Sequence, residues 1–138
     1  MTTNKGFKNE EKFSQRFNIQ LNDKQNEPFN TGSDTVNGIS LKSNRFSVPA
    51  IATVTEKTEE NKRLLINDHF KNTASRCYCI TIYGKYYFMS PRLFKEAMIR
   101  FSKLDRDSKR NGGKIKIRCG ATKKMAKWLE TQGIHGIA

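Results

Sequence analysis

Hydrophobic residues at helical spacing open the chain. Across residues 7–19, Phe7, Phe13 and Phe17 fall on one face of a predicted helix, and Glu10 lies among them. A carboxylate on an apolar face needs a partner or a metal ion, because burying it alone is costly. The polar residues 20–31, which include a proline, predict a loop after this helix.

The middle of the chain alternates between strand and helix patterns. The apolar stretch 45–54 contains Pro49, which is typical of an edge strand or a break. Residues 56–72 begin with acidic residues and carry Leu64, Leu65 and Phe70, so they predict a helix, which we expect to be mostly exposed. The segments 77–82 and 85–89 are rich in aromatic and β-branched residues, and they predict two strands joined by a tight turn.

A capped helix, a strand and a final helix complete the pattern. Ser90 is suited to cap a helix that has Pro91 in its first position and an apolar stripe behind it. Residues 114–119 alternate basic and apolar side chains as a half-buried strand does, and residues 121–132 predict a short helix. The order αββ, a helical insertion, ββ, α, β, α predicts one α/β or α+β domain with a mixed central sheet, spanning residues 1–138.

The stretch GSDTVNGISLKS, residues 32–43, has the composition of a tight β-hairpin and permits two registers. If a two-residue loop closes the hairpin, Asp34 and Lys42 lie on opposite sides. If the loop has three residues and Gly38 takes the left-handed conformation of a bulge, Asp34 faces Ser40 and shares its side with Lys42. The sequence allows either register, and only the second assembles a polar site.

The second register would gather the groups that phosphodiester hydrolysis requires. This reaction near neutral pH uses a metal ion to polarise the phosphate and activate a water, with a positive group beside the developing charge. Magnesium takes oxygen ligands from one or two carboxylates, together with waters and phosphate oxygens. Asp34, Glu10 and the carbonyl of Leu41 are the candidate ligands for Mg²⁺, with Mn²⁺ as the alternative ion. Lys42 is the candidate positive group.

The charge of the chain is concentrated in its C-terminal half. The formal net charge is +13; residues 1–71 hold 11 Lys and Arg against 9 Asp and Glu, whereas residues 72–138 hold 15 against 4. So basic a surface favours a polyanionic partner, because each neutralised phosphate releases counterions. A generally basic, solvated surface is the alternative.

Composition also restricts the class of protein. No apolar run is long enough to span a bilayer and the first residues lack the apolar core of a secretory signal, so we expect a soluble, cytoplasmic protein. Cys77, Cys79 and Cys119, with no second Cys/His cluster at ligand spacing, predict reduced and mostly buried thiols. His69 and His135 have no obvious partner, and we assign them surface or packing roles.

Basic residues cluster in residues 108–124, which we predict to be the nucleic-acid surface. Phosphate contacts would fix the register, while arginine and asparagine side chains are suited to base edges. Two residues just after Lys42 are expected to add contacts near the scissile bond. The predicted nucleic-acid-binding residues are Asn44, Arg45, Lys109, Arg110, Asn111, Lys114, Lys116, Arg118, Lys123 and Lys124.

Glu10 on an opening helix, Asp34, and then S-L-K at residues 40–42 together resemble the PD-(D/E)XK nuclease superfamily, which includes restriction endonucleases, Holliday-junction resolvases and some small homing endonucleases. Its αβββαβ core maps onto residues 7–118, with residues 56–72 as an added helix. The resemblance implies a magnesium-dependent DNA endonuclease acting on duplex or branched DNA. Cutting both strands generally needs two sites, so a homodimer or higher homo-oligomer is expected.

Ser40 departs from that pattern, because the superfamily usually has Glu or Asp there. In one hypothesis Glu10, Asp34 and the Leu41 carbonyl hold the metal without a carboxylate at position 40. In the other the chain is a weakened or inactive form, either natural or made by substitution. Within the resemblance the candidate catalytic residues are Asp34, Lys42, Ser40 and Glu10. The rival hypothesis is a catalytically silent, basic DNA-binding protein; a basic RNA-associated protein would explain the charge but not the carboxylate on an apolar helix face.

Overall fold

A computed structural model describes residues 5–22, 33–106 and 113–138 of the chain. None of the helices in these ranges combines the length and apolar content that crossing a membrane requires. The elements of this mixed α/β architecture are α1 (Lys5–Phe17), β1 (Ile39–Ser43), β2 (Arg45–Val48), α2 (Glu59–Asn72), β3 (Cys77–Ile82), β4 (Lys85–Met89), α3 (Pro91–Phe101), β5 (Lys103–Arg106), β6 (Ile115–Gly120) and α4 (Lys123–Thr131).

The six strands form two three-stranded sheets, whereas the sequence predicted one central sheet. In the first sheet, of order β1-β3-β4, β1 runs parallel to β3 and β3 antiparallel to β4. The second sheet, of order β2-β6-β5, is antiparallel throughout. The chain changes sheets at Asn44, whose φ of 56° lies in the left-handed region that asparagine tolerates. Strands β1 and β2, though consecutive, therefore build different sheets.

The larger hydrophobic core joins both sheets to α2, α3 and α4. At its centre the rings of Tyr78 and Phe94 stack, with centroids 4.0 Å apart. The prediction that α2 is mostly exposed holds for half of its residues, whereas Leu65 and Ile66 are fully buried in this core. Lys62 is also buried on that face, and its Nζ donates to the Ser102 carbonyl at 2.9 Å. This helix looks polar in sequence because part of its buried face is built from satisfied polar groups.

A smaller core covers the other face of the first sheet. There α1 contributes Phe13, which is fully buried and packs with Ile39, Leu41, Cys79 and Tyr86. Of the apolar face predicted for the first helix, Phe13 and Phe17 pack in this core, and the Phe7 side chain lies outside the described residues. Because Glu10 belongs to the same helix, this packing fixes where its carboxylate can reach.

Most predicted elements form, with shifted ends. The side chain of Ser90 caps α3 by accepting from Leu93 N at 3.2 Å, as predicted. Strand β5, Lys103–Arg106, was not predicted, because three of its four residues are charged and no apolar alternation announces it. The cysteines are free, as predicted, and burial raises the pKa of both Cys79 and Cys119 to about 12.

The turn before β1 has the three-residue loop. Thr35 carbonyl accepts from Gly38 N at 3.3 Å, and the Ile39 carbonyl accepts from both Asp34 N and Thr35 N, at 3.0 and 3.1 Å. Gly38 has φ of 90°, the left-handed backbone that this loop requires. However, Asp34 lies in a bend outside any strand, so the predicted hairpin has only one true strand, β1.

We expect Gly38→Ala to lower the free energy of unfolding by about 1–2 kcal/mol, since the left-handed backbone conformation is less favourable by about this amount for a residue with a Cβ. The added Cβ would also lie 3.2 Å from the Arg76 side chain. Gly120→Ala is the matched control, because its φ is not positive and its nearest neighbour would be 3.4 Å away. Urea unfolding of both variants measures the difference, and equal midpoints would contradict this account of the turn.

Candidate active site

Asp34 is attached to β1 through its side chain. Its Oδ2 accepts a hydrogen bond from the backbone N–H of Leu41 at 2.7 Å. Strand β1 is the edge of the first sheet, so this N–H would otherwise lack a partner in the ladder. In an extended strand the N–H and C=O of one residue point to the same edge, so the Leu41 carbonyl faces the edge that carries Asp34.

Glu10 reaches the same edge from α1. Its carboxyl is partly buried and hydrogen-bonded to the carboxylate of Asp34. Burial, the negative charge of Asp34 and this hydrogen bond, in that order, raise the pKa of Glu10 from 4.5 to about 7. Two carboxyl groups in contact therefore hold a proton on Glu10 that an exposed glutamate would have lost.

Lys42 is the third ionisable group of the cluster. Burial lowers the pKa of its ammonium group, and the negative charges of Asp34 and Glu10 oppose that shift. The net direction is downward, so burial outweighs the two negative charges. The structure thus brings Lys42 within electrostatic range of two carboxyl groups that α1 and the turn before β1 supply.

Two members of the cluster, Glu10 and Lys42, line a pocket with a volume of about 400 Å³. Its walls include Glu10, Leu41, Lys42, Asn44 and Arg45. The pocket therefore runs from the ionisable cluster, along the end of β1, to the point where the chain changes sheets. This volume lies within the usual range of ligand-binding clefts.

Ser40 has a different environment. It is 7 % exposed, and its hydroxyl pairs with that of Ser75. In the parallel register it lies opposite Tyr78, on the side of β1 that meets the larger core. Where the resemblance predicts a carboxylate, the chain has a buried hydroxyl engaged in a side-chain hydrogen bond.

His69, which the sequence left without a partner, is buried beside this region. One ring nitrogen, Nδ1, bonds the Pro49 carbonyl at 2.8 Å, and Nε2 bonds the hydroxyl of Tyr78 at 2.9 Å. Since a carbonyl only accepts, Nδ1 carries the proton, and Nε2 pairs with the Tyr78 hydroxyl. Burial lowers the pKa of His69, and the charge of Lys42 adds to the effect. No local sequence signal links these residues, because α2, β3 and the residue after β2 supply them separately.

The donor atoms fit a hard divalent cation. Within residues 5–22, 33–106 and 113–138, no group of three or more His, Cys, Asp and Glu side chains is placed to hold a metal. Magnesium is nevertheless bound in proteins by one or two carboxylates, with waters and substrate oxygens completing its shell. Glu10 and Asp34 supply two carboxylates in contact, and the Leu41 carbonyl faces the same edge.

The structure describes seven of the ten residues predicted to bind nucleic acid. Lys109, Arg110 and Asn111 lie outside the described residues. Lys114, Lys123 and Lys124 are exposed, and Lys123 Nζ lies 5.2 Å from the ring centroid of Tyr83. Lys116 and Arg118 lie on β6, while Asn44 and Arg45 are exposed beside the pocket.

Comparisons of the chain with models of known families, with characterised proteins and with solved structures gave no match.

We expect Glu10→Gln to change how stability depends on pH. Because the folded state raises the pKa of Glu10, the stability associated with its protonated form is present below pH 4.5 and is lost as the pH rises through about 7. The variant, which keeps a donor to Asp34, should therefore match the protein near pH 4.5 and exceed its melting temperature above about pH 7. Thermal melts in EDTA measure this, with Glu11→Gln, exposed on the same helix, as control. A difference in melting temperature between Glu10→Gln and the unmodified protein that does not change with pH would contradict the raised pKa.

Proposed function

We propose that this chain is a metal-dependent DNA endonuclease that hydrolyses phosphodiester bonds in duplex or branched DNA. The observation that carries the proposal is the hydrogen bond between the carboxyl groups of Glu10 and Asp34, within electrostatic range of Lys42, at the open edge of β1. Burying two acids in contact is costly, and a purely structural role would be served by one acid paired with the lysine. The arrangement is suited to a site that binds a divalent cation.

Glu10, Asp34 and the Leu41 carbonyl would hold Mg²⁺ or Mn²⁺. When bound, the ion would polarise the scissile phosphate and lower the pKa of a water molecule. The α1 helix brings Glu10 to the site through the packing of Phe13, and the Gly38 turn brings Asp34. These are the chain's own contributions, because they hold both carboxylates in place before any ligand arrives.

Lys42 would stabilise negative charge on the phosphate. Its position in a partly buried pocket increases the strength of that interaction over the value in water. The two carboxyl groups oppose the loss of its proton, which burial favours, and so they support this role. Arg45 and Asn44, in the same pocket, are suited to hold the phosphates beside the scissile bond.

A restriction-endonuclease-like core is part of the proposal. It is supported by the packing of the first helix on the first sheet and by the order Glu10, Asp34, Lys42 along α1, the turn and β1. The departures are Ser40, whose hydroxyl is engaged by Ser75, and the separation of β1 and β2 into two sheets. The proposed site therefore uses a reduced carboxylate set, and a homodimer would supply the two sites that double-strand cleavage needs.

We expect Glu10→Gln, Asp34→Asn and Lys42→Met each to lower Mg²⁺-dependent cleavage of supercoiled plasmid by about 10²-fold or more, since each removes a group that stabilises the transition state. Glu11→Gln, an exposed neighbour on α1, should cleave at the rate of the unmodified protein. The readout is conversion to nicked and linear DNA with Mg²⁺, Mn²⁺ or EDTA.

Two results would overturn the proposal. If the unmodified protein binds plasmid but cleaves it with neither metal ion, the chain is a silent DNA-binding protein. If cleavage persists in all three variants, it occurs at another site.

A further inference from the structure

The second sheet has one face in the larger core and one face directed outward. Along β6, buried and partly exposed residues alternate, so Ile115, Ile117 and Cys119 point into the core. Strand register places the residues between them beside outward residues of β2 and β5, with Ser47 and Lys103 on either side of Arg118. We call this surface the outer face; its side chains are Arg45, Ser47, Lys103, Asp105, Lys116 and Arg118.

The outer face is strongly basic. Four of its six side chains are Lys or Arg, and Asp105 is its one acid. Helix α2, whose other face is exposed, differs from the outer face, since its residues 59–72 contain three acidic and three basic side chains. A face kept soluble by charge alone has no need for such an imbalance, whereas a face that meets phosphates does.

Two arginines converge on the one acid. Asp105 Oδ2 lies 3.4 Å from Arg45 Nη2 and 3.2 Å from Arg118 Nε. The two guanidinium groups come from different strands, β2 and β6, and they meet at one anionic oxygen. This is the way in which arginines hold a phosphate oxygen, so Asp105 occupies the place that a phosphate would take.

The outer face is continuous with the candidate active site. Arg45 both contacts Asp105 and lines the pocket that contains Glu10 and Lys42. A strand of nucleic acid whose scissile phosphate lies in the pocket would pass Arg45 and then reach β6 and β5. The remaining contacts along this path are Lys103 and Lys116, which lie near Asp105 in the register.

We propose that the outer face binds the phosphate backbone of duplex DNA, and that Asp105 takes the place of one phosphate in the free protein and releases Arg45 and Arg118 when DNA binds. The choice of duplex DNA rests on the proposed function; the choice of a phosphate backbone rests on the charge and the geometry of the face. Asp105 then organises the arginines and at the same time weakens binding.

The test is the affinity for a short fluorescent DNA duplex, measured by anisotropy in EDTA at salt concentrations from about 50 to 200 mM. Lys103→Ala and Lys116→Ala should each weaken binding about fivefold at physiological salt and lower the salt slope by about 1, as loss of one phosphate contact does. Lys71→Ala, an exposed lysine on α2, should bind as the unmodified protein does. Melting temperatures verify that each variant is folded.

Asp105→Asn should tighten binding about fivefold or more, because it removes the negative charge that pairs with two arginines and repels phosphate. Glu60→Gln removes the same charge from exposed α2 and is the matched control, with a change below about twofold. The proposal is overturned if Asp105→Asn and Glu60→Gln act alike, if the lysine variants match Lys71→Ala, or if an RNA duplex of the same sequence binds more tightly than DNA.

The binding test and the cleavage test fail independently. EDTA removes any metal, so the effects expected on the outer face do not require hydrolysis. If these effects are seen and no cleavage occurs, the face is correct and the endonuclease is not. If cleavage depends on Glu10 and Asp34 while the face variants bind normally, only the inference about the outer face is wrong.

Discussion

The hydrogen bond from Leu41 N–H to the Asp34 carboxylate is the constraint on which the site depends. It satisfies a backbone donor at an open sheet edge, where a strand would otherwise leave it exposed. It also fixes Asp34 next to β1, although Asp34 belongs to no strand. Because α1 packs over the same strand through Phe13, Glu10 is brought to that carboxylate. The cluster follows from one turn and one packed helix.

The electrostatic consequence is an unfavourable interaction between two partly buried carboxyl groups. The negative charge of Asp34 raises the pKa of Glu10, and the charge of Lys42 opposes that rise only in part. The pair of His69 and Tyr78 lies on the side of β1 that meets the larger core, where the charge of Lys42 also acts. A cluster of this kind lowers the stability of the fold at neutral pH, which is typical of sites kept for binding or catalysis.

The sequence predicted the parts of the site that local periodicity determines. Helical spacing placed Glu10 on the packed face of α1, and Gly38 marked the turn. It did not separate β1 from β2, because the change of sheet depends on one left-handed residue, Asn44, and on partners distant in the chain. The sequence also left two registers possible around Asp34. The packing of Leu41 against α1, which the local sequence does not show, selects one of them.

Residues whose role depends on distant partners could not be found in this way. Asp105 lies in a strand with no apolar alternation, and its importance comes from arginines on two other strands. In the sequence Lys62 has the pattern of a surface lysine. In the structure it is buried and donates a hydrogen bond to the Ser102 carbonyl. In both cases the tertiary fold supplies the partner, and the local pattern is that of ordinary solvated residues.

A crystal structure of the protein soaked in Mn²⁺ tests the central claim most directly, because anomalous scattering locates the ion without reference to activity. The account predicts one strong anomalous peak, coordinated by Glu10, Asp34 and the Leu41 carbonyl, that is lost in Asp34→Asn. Full-occupancy density for an unchanged hydrogen bond between Glu10 and Asp34, with no peak beside it at saturating Mn²⁺, would contradict it.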